Sequence, residues 1–278
     1  MKKLLSFILM LMLLTVAAVA GAEAGKGETS AVDFKTSKIM DDAFAKYDVK
    51  GTLIIHDVNN GVYYAHDAKR AVERFHPAST FKIFSTLIGL EVGAVPNVDL
   101  YFYKYLGEPV YLESWANDAN LRLAFKRSQV PAYQLLARKI GRPAMQANIN
   151  ILGYGNMEIG DAANIDKFWL EGPLEISAYE QVQLLGRLAS GKLPYSADAI
   201  RQTIEICRQE GMADYKIYGK TGWATENIKQ PVGWFVGWVD SPEGRYVFAV
   251  NMDIDSSADL YKREAVVKDV LNAMNVLK

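Results

Sequence analysis

Two short patterns in this chain of 278 residues bring together groups that could do nucleophilic chemistry. The first is Pro77-Ala-Ser79-Thr-Phe-Lys82, followed by Ile83, Phe84, Leu87 and Leu90 at helical spacing. Residues three apart on a helix share a face, with Cβ atoms about 5–6 Å apart. A serine in the first turn has its hydroxyl and its own N–H near the positive end of the helix dipole, where a developing oxyanion is stabilised. A lysine among apolar side chains loses solvation, which favours the neutral amine that can take the serine proton. A surface helix with a capping serine and a solvated lysine would carry the same letters, and S-x-x-K arises about once by chance at this length. The second pattern, Lys220-Thr-Gly222, follows the strand-like Tyr215 to Tyr218. It offers a positive charge, a hydroxyl donor, and room for backbone to approach a carboxylate or carbonyl. A solvated lysine beside a turn glycine is its plain alternative.

The rest of the composition narrows the chemistry. His56, His66 and His76 lack the H-E-x-x-H spacing of a zinc hydrolase, and Cys207 stands alone, so neither a multi-cysteine zinc site nor an intrachain disulfide is available. No metal site is expected, and histidine is a poor candidate for the base. A net charge of -1 gives no electrostatic reason to expect nucleic acid or an anionic membrane as partner. With 50% hydrophobic and 23% charged residues the chain has globular composition.

Lys2 and Lys3, the apolar run Leu4 to Ala20 and the small residues Ala18 to Ala22 form a signal-peptide pattern. Residues 1–22 are therefore expected to be a cleaved leader, and 23–278 a single catalytic domain in the periplasm or outside the cell. Cleavage removes two lysines and no acid, leaving the mature chain slightly more acidic.

Elements able to position the two patterns follow from periodicity. Glu23 to Ser37 reads as a flexible leader into a helix at Lys38 to Tyr47. Thr52 to Asp57 and Val62 to Ala65 read as strands joined by Asn59-Asn60-Gly61, a hairpin signal. From Ser79 to Arg208 the texture is helical, with Ser177-Ala-Tyr-Glu180 as a capping box and Cys207 as a small buried apolar residue. Strands return from Tyr215 to Asp253, where Val232 to Asp240 and Arg245 to Asp253 flank Ser241-Pro-Glu-Gly244. Leu260 to Leu277 closes the chain at helical spacing. The expected fold is α/β of the α+β type: an antiparallel sheet made by both chain ends, helices on its faces, and an inserted helical lobe over roughly 80–208.

S-x-x-K, S-D-N and K-T-G in order are the signature of class A β-lactamases and penicillin-binding proteins; here Ser128-Gln-Val130 stands in the middle position. With Tyr154-Gly-Asn156, Phe168-Trp-Leu-Glu-Gly172 and Arg263 added, the chain from about Gly51 onward resembles the class D, oxacillinase-type serine β-lactamases. The resemblance implies hydrolysis of small-molecule β-lactams, with Ser79 as the acylated nucleophile. Lys82, carbamylated by carbon dioxide (an N6-carboxylysine), would be the general base for acylation and deacylation, and no other cofactor is implied. Trp169 would donate its indole N–H to that carbamate, Ser128 would relay a proton to the leaving nitrogen, and Lys220 would support it. N–H groups of Ser79 and Trp223 would form the oxyanion hole; Thr221 and Arg263 would bind the substrate carboxylate, with Gly222, Val130 and Leu170 lining the pocket. Tyr154-Gly-Asn156 would shape a wall, and Phe81 is balanced between core and lining. A β-lactam sensor that stays acylated shares the serine and lysine motifs. A penicillin-binding protein would have S-x-N where Val130 stands.

Overall fold

Strict alternation of apolar side chains builds the sheet. Leu53 and Ile55 point to one face and Ile54 to the other; Phe248, Val250 and Met252 oppose Val247 and Ala249 in the same way. The computed structural model describes residues 33–209, 214–225 and 231–278. The signal-peptide reading of 1–22 lies outside them.

In chain order the elements are β1 (Phe34–Thr36), α1 (Lys38–Tyr47), β2 (Gly51–Asp57), β3 (Val62–His66), α2 (Ala68–Ala71), β4 (Arg74–Phe75), α3 (Lys82–Glu91), α4 (Leu121–Lys126), α5 (Val130–Ile140) and α6 (Arg142–Leu152). Then come β5 (Ile176–Ser177), α7 (Ala178–Ala189), α8 (Ala197–Cys207), β6 (Lys216–Ala224), β7 (Val232–Ser241), β8 (Gly244–Asp253) and α9 (Lys262–Ala273). Six strands pair in the order β1-β3-β2-β8-β7-β6. Both chain ends thus contribute to one sheet, antiparallel except where β1 runs parallel to β3. Phe34–Lys278 is one compact unit.

One face of the sheet is covered by α1 and α9, whose Met40, Phe44, Val266, Val270 and Leu271 pack on Phe235 and Phe248. The other face carries α7 and the helical lobe. Helix α3 is buried from Lys82 through Gly89, the polar Lys82, Ser85 and Thr86 included, and it packs on α5 and α8. The capping box forms: Ser177 Oγ accepts from the Glu180 N–H at 3.1 Å while the Glu180 carboxylate accepts from the Ser177 N–H at 2.9 Å. Cys207 is buried and unpaired, and burial pushes its thiol pKa up. Among the described residues, no helix is long and apolar enough to cross a membrane.

Three expectations need correction. The leader does not extend to Ser37, because Phe34–Thr36 adds an edge strand whose Phe34 ring packs on Tyr63 and Tyr179. A single aromatic in a polar stretch has no periodicity to announce it. Within the helical middle, Ile176–Ser177 pairs with Arg74–Phe75 as a two-residue ladder, too short to alternate visibly. Finally, Lys220-Thr-Gly222 does not follow a strand but lies inside β6, the last strand of the sheet.

Candidate active site

The sequence expects a helix beginning at Pro77, yet α3 starts at Lys82, and Ala78–Phe81 before it is a turn of 3₁₀ helix. The difference matters chemically. Side chains at i and i+3 eclipse one another in a 3₁₀ turn, and Lys82 Nζ lies 2.7 Å from Ser79 Oγ. The turn is held from several directions. The Ala78 N–H donates to the Trp169 carbonyl at 3.0 Å, Thr80 Oγ1 donates to the Pro77 carbonyl at 2.7 Å, and Gln181 Nε2 donates to Thr80 Oγ1 at 2.8 Å. Ala78 is kept at φ +48, a left-handed conformation that a non-glycine residue adopts only under tertiary constraint.

Lys82 has no solvent exposure, and its Nζ sits 5.4 Å from the Tyr133 ring centroid. Burial, with the charge of Lys220 as a second cause, holds its pKa well below the ordinary lysine value, which favours the uncharged amine. This is the desolvated lysine that the apolar spacing predicts.

Above Ser79 opens a cleft of about 470 Å³ whose walls include Ser79, Ser128, Val130, Leu170, Thr221, Gly222, Trp223 and Arg263. Eight of the eleven residues singled out from sequence therefore meet at one surface. The other three are placed differently. Lys82 lies beneath Ser79, and Trp169 is buried in the core. Lys220 lines an adjoining groove of about 660 Å³ that shares Thr221 with the cleft. Its Nζ donates to the Thr221 carbonyl at 2.9 Å and lies 5.7 Å from the Phe125 ring centroid, while the Ser128 N–H donates to the Phe125 carbonyl at 3.1 Å. Burial, then the charge of Arg263, lowers the Lys220 pKa to about 7.

Strand β6 runs close beside the nucleophile turn because residue 222 is glycine. A Cβ there would stand 3.2 Å from the Pro77 carbonyl oxygen and 3.3 Å from the Thr80 nitrogen. Arg263, at the start of α9, donates through Nη1 to the Gly222 carbonyl at 2.8 Å and through Nε to the Leu260 carbonyl at 2.7 Å. Two of its five N–H donors are thus spent on backbone, which fixes the plane of the guanidinium facing the cleft. Burial draws its pKa down to about 10. Trp223 Nε1 donates to the Ile254 carbonyl at 3.0 Å, pinning its half-buried ring as a wall.

Trp169 lies in a run of tight turns closed by Gly172, where a Cβ would come within 2.4 Å of Phe168 Cα. Its ring is 1% exposed and packs on Phe168 and Phe81 at centroid distances of 5.1 and 5.8 Å. Its indole N–H finds no acceptor among the described residues. A buried donor left unpaired costs about 1–3 kcal/mol, so this N–H is available to an acceptor added at the base. Phe81 is wholly core and reaches no cleft surface, and Tyr154, expected to shape a wall, is also fully buried with its ring on Phe81 and Phe84. Burial pushes the Tyr154 phenol above its ordinary pKa, away from proton transfer.

Sequence reasoning missed the cleft wall made by Tyr111, Leu112 and Trp115, in a stretch without regular elements apart from a short 3₁₀ turn at Glu113–Trp115. No periodicity or turn signal in that stretch marks it as a wall, and Tyr111 is 74% exposed.

Comparison with known proteins bears on this geometry. The family model of the penicillin binding protein transpeptidase domain matches residues 32–272. The β-lactamase OXA-48 of Klebsiella pneumoniae is 36% identical over 247 residues, 89% of this chain and 92% of that protein. The probable β-lactamase YbxI of Bacillus subtilis is 37% identical over 239 residues, 86% and 85% of the two chains. The crystal structure of FUS-1 (OXA-85), a class D β-lactamase from Fusobacterium nucleatum subsp. polymorphum, superimposes with a TM-score of 0.86 at 50% identity, covering 88% of this chain and 100% of that one. A shared fold would leave the chemistry open, but relatives named β-lactamases match at 36–50% identity over nearly nine-tenths of this chain, and the chain belongs to the class D β-lactamases.

Proposed function

We propose that this protein hydrolyses the amide bond of β-lactams through an acyl-enzyme on Ser79 and so confers resistance to these antibiotics. The observation that carries the proposal is the 2.7 Å approach of a fully buried Lys82 amine to Ser79 Oγ. A base carried on this side chain, the carbamate of Lys82, takes the hydroxyl proton as Oγ attacks the ring carbonyl carbon. The negative charge that develops on the carbonyl oxygen is received by the N–H groups of Ser79 and Trp223. As the C–N bond breaks, the leaving nitrogen takes a proton through Ser128, with Lys220 supporting the transfer. Thr221 and Arg263 hold the substrate carboxylate, the guanidinium using donors that the backbone leaves free. Water then attacks the acyl carbonyl and frees Ser79.

Lys82 fits carbon dioxide as a partner. Carbamate formation needs a neutral amine, which burial provides, and the unpaired Trp169 N–H is a donor waiting for an anionic oxygen. Bound there, carbon dioxide supplies a carboxylate oxygen that can take a proton and return it. Lys82 and Trp169 would hold it, and the apolar surroundings of Phe81 and Tyr133 would keep water from competing. The leader pattern at Lys2 to Ala22 supports export and cleavage, so the enzyme would meet its substrates in the periplasm.

Purified protein is expected to turn over a chromogenic β-lactam many times. One stoichiometric burst followed by silence would instead identify an acylated sensor. In buffer depleted of carbon dioxide at mildly acidic pH the steady rate should fall and recover when bicarbonate is added; indifference to bicarbonate would remove the carbamylated base.

A further inference from the structure

Ser128 occupies a left-handed turn, with φ +51, between α4 and α5. A serine rarely adopts that conformation without support, and the support next to it is unusual. Gln129 is fully buried, and its amide nitrogen donates at 2.8 Å to two backbone carbonyls, those of Trp115 and Asn117. Both partners can only accept, which fixes the amide orientation, and the amide oxygen is buried without a partner among the described residues. In return, the Trp115 indole Nε1 donates to the Arg127 carbonyl at 3.0 Å. Three hydrogen bonds therefore lace the 112–117 strap to the 127–129 turn, and the two ends of the lacing face the same cleft: Ser128 on one side, Leu112 and Trp115 on the other. A buried glutamine giving both amide hydrogens to a loop is a costly way to fill core, since an apolar side chain would leave no unpaired oxygen.

We infer that Gln129 is a positioning residue that sets which β-lactams the cleft accepts, by holding the Leu112–Trp115 wall at a fixed distance from Ser128 so that a bulky apolar acyl side chain packs against it. The inference rests on the hydrolase reading of this cleft. A substrate without such a side chain does not touch the wall, so it escapes the effect.

The test compares a penicillin bearing a bulky aromatic acyl group with 6-aminopenicillanic acid, which has the same nucleus and no acyl group. Gln129→Met keeps the length of the side chain and deletes both donors. It should lower kcat/KM for the aromatic substrate about tenfold, mainly through KM, and for the bare nucleus by less than about threefold, the scale of one or two lost hydrogen bonds. Trp115→Phe, which cuts the opposite lace from a half-buried position and does not depend on the core, should shift the ratio the same way even if the Met variant folds poorly. If the unaltered chain turned over neither substrate, the hydrolase reading itself would fall. If it turned over both, and the folded variants lost activity on the two substrates in equal measure or not at all, Gln129 would have no part in selectivity.

Discussion

Replacing Trp169 by Phe isolates one hydrogen-bond donor at the base of the site. The phenyl ring keeps an aromatic surface against Phe81 and Phe168, now 5.8 and 5.1 Å away, and removes the indole N–H that has no acceptor among the described residues. In the unmodified protein this change relieves a buried unpaired donor, worth about 1–3 kcal/mol, which offsets part of the cost of the smaller ring. With carbon dioxide bound to Lys82, the same N–H would make a hydrogen bond to a charged acceptor, worth about 1.5–3 kcal/mol. Its deletion should therefore weaken carbamylation roughly 10- to 150-fold. The assay is a bicarbonate titration of steady-state turnover in carbon-dioxide-depleted buffer. The half-saturating concentration should rise by at least about tenfold, while the rate at saturating bicarbonate recovers much of the wild-type value. An unchanged half-saturating concentration, in a variant whose melting temperature shows it folded, would refute the assignment of this N–H to the carbamate.

Two further perturbations probe the strand and the second lysine. Gly222→Ala places a methyl 3.1–3.3 Å from Thr80 and Pro77 atoms, two of them backbone, so β6 must shift by a few tenths of an ångström from the nucleophile turn; kcat/KM should fall about tenfold or more with the fold retained, and a fully active variant would show that the close approach is not used. Lys220→Met removes a group whose folded pKa, about 7, lies below its ordinary value of 10.5. For a lysine lowered on folding, the penalty is complete below the folded pKa, fades between about 7 and 10.5 and is gone above. The Met variant, catalytically impaired, should therefore be the more stable protein at pH 6, by up to about 5 kcal/mol, with the advantage closing toward pH 10.5 in urea melts. A difference independent of pH would contradict the neutral-lysine reading.

How much of this was legible depended on the range of the interaction concerned. The ends of α1, the pairing of β7 with β8 and the capping box of α7 follow from neighbours within a few residues, and the sequence marks them with periodicity, turn residues and caps. The approach of Lys82 to Ser79 was also local, although the 3₁₀ turn that tightens it was not, because Ala78 is strained by bonds to Trp169 and, through Thr80, to Gln181. The strap from Tyr111 to Asn117 was illegible for the same reason in stronger form. Its order comes from Gln129 and Arg127, more than ten residues away, and nothing in its own composition specifies a conformation. Lys220 showed the limit of motif reading: its place in the chain was evident, but its position in a groove beside the cleft depends on how β6 meets α4.

The three basic side chains of the site explain why overall charge says so little about it. The chain carries a net charge of -1, yet Lys82, Lys220 and Arg263 are gathered in one low-dielectric region, each at most 9% exposed. Positive neighbours disfavour further protonation: Arg263 lowers Lys220, and Lys220 lowers Lys82. The chain of influence runs from Arg263 toward Lys82. In the proposed reaction an anionic substrate seated at Arg263 would offset the first positive charge in that series and so draw Lys220 back toward its protonated form as the leaving nitrogen takes its proton. Lys82 is farther along and wholly desolvated, the larger of its two causes, so its uncharged form stays favoured. One region would thereby keep an amine able to take up carbon dioxide apart in pKa from an amine able to supply a proton, a separation that two solvated lysines would not have.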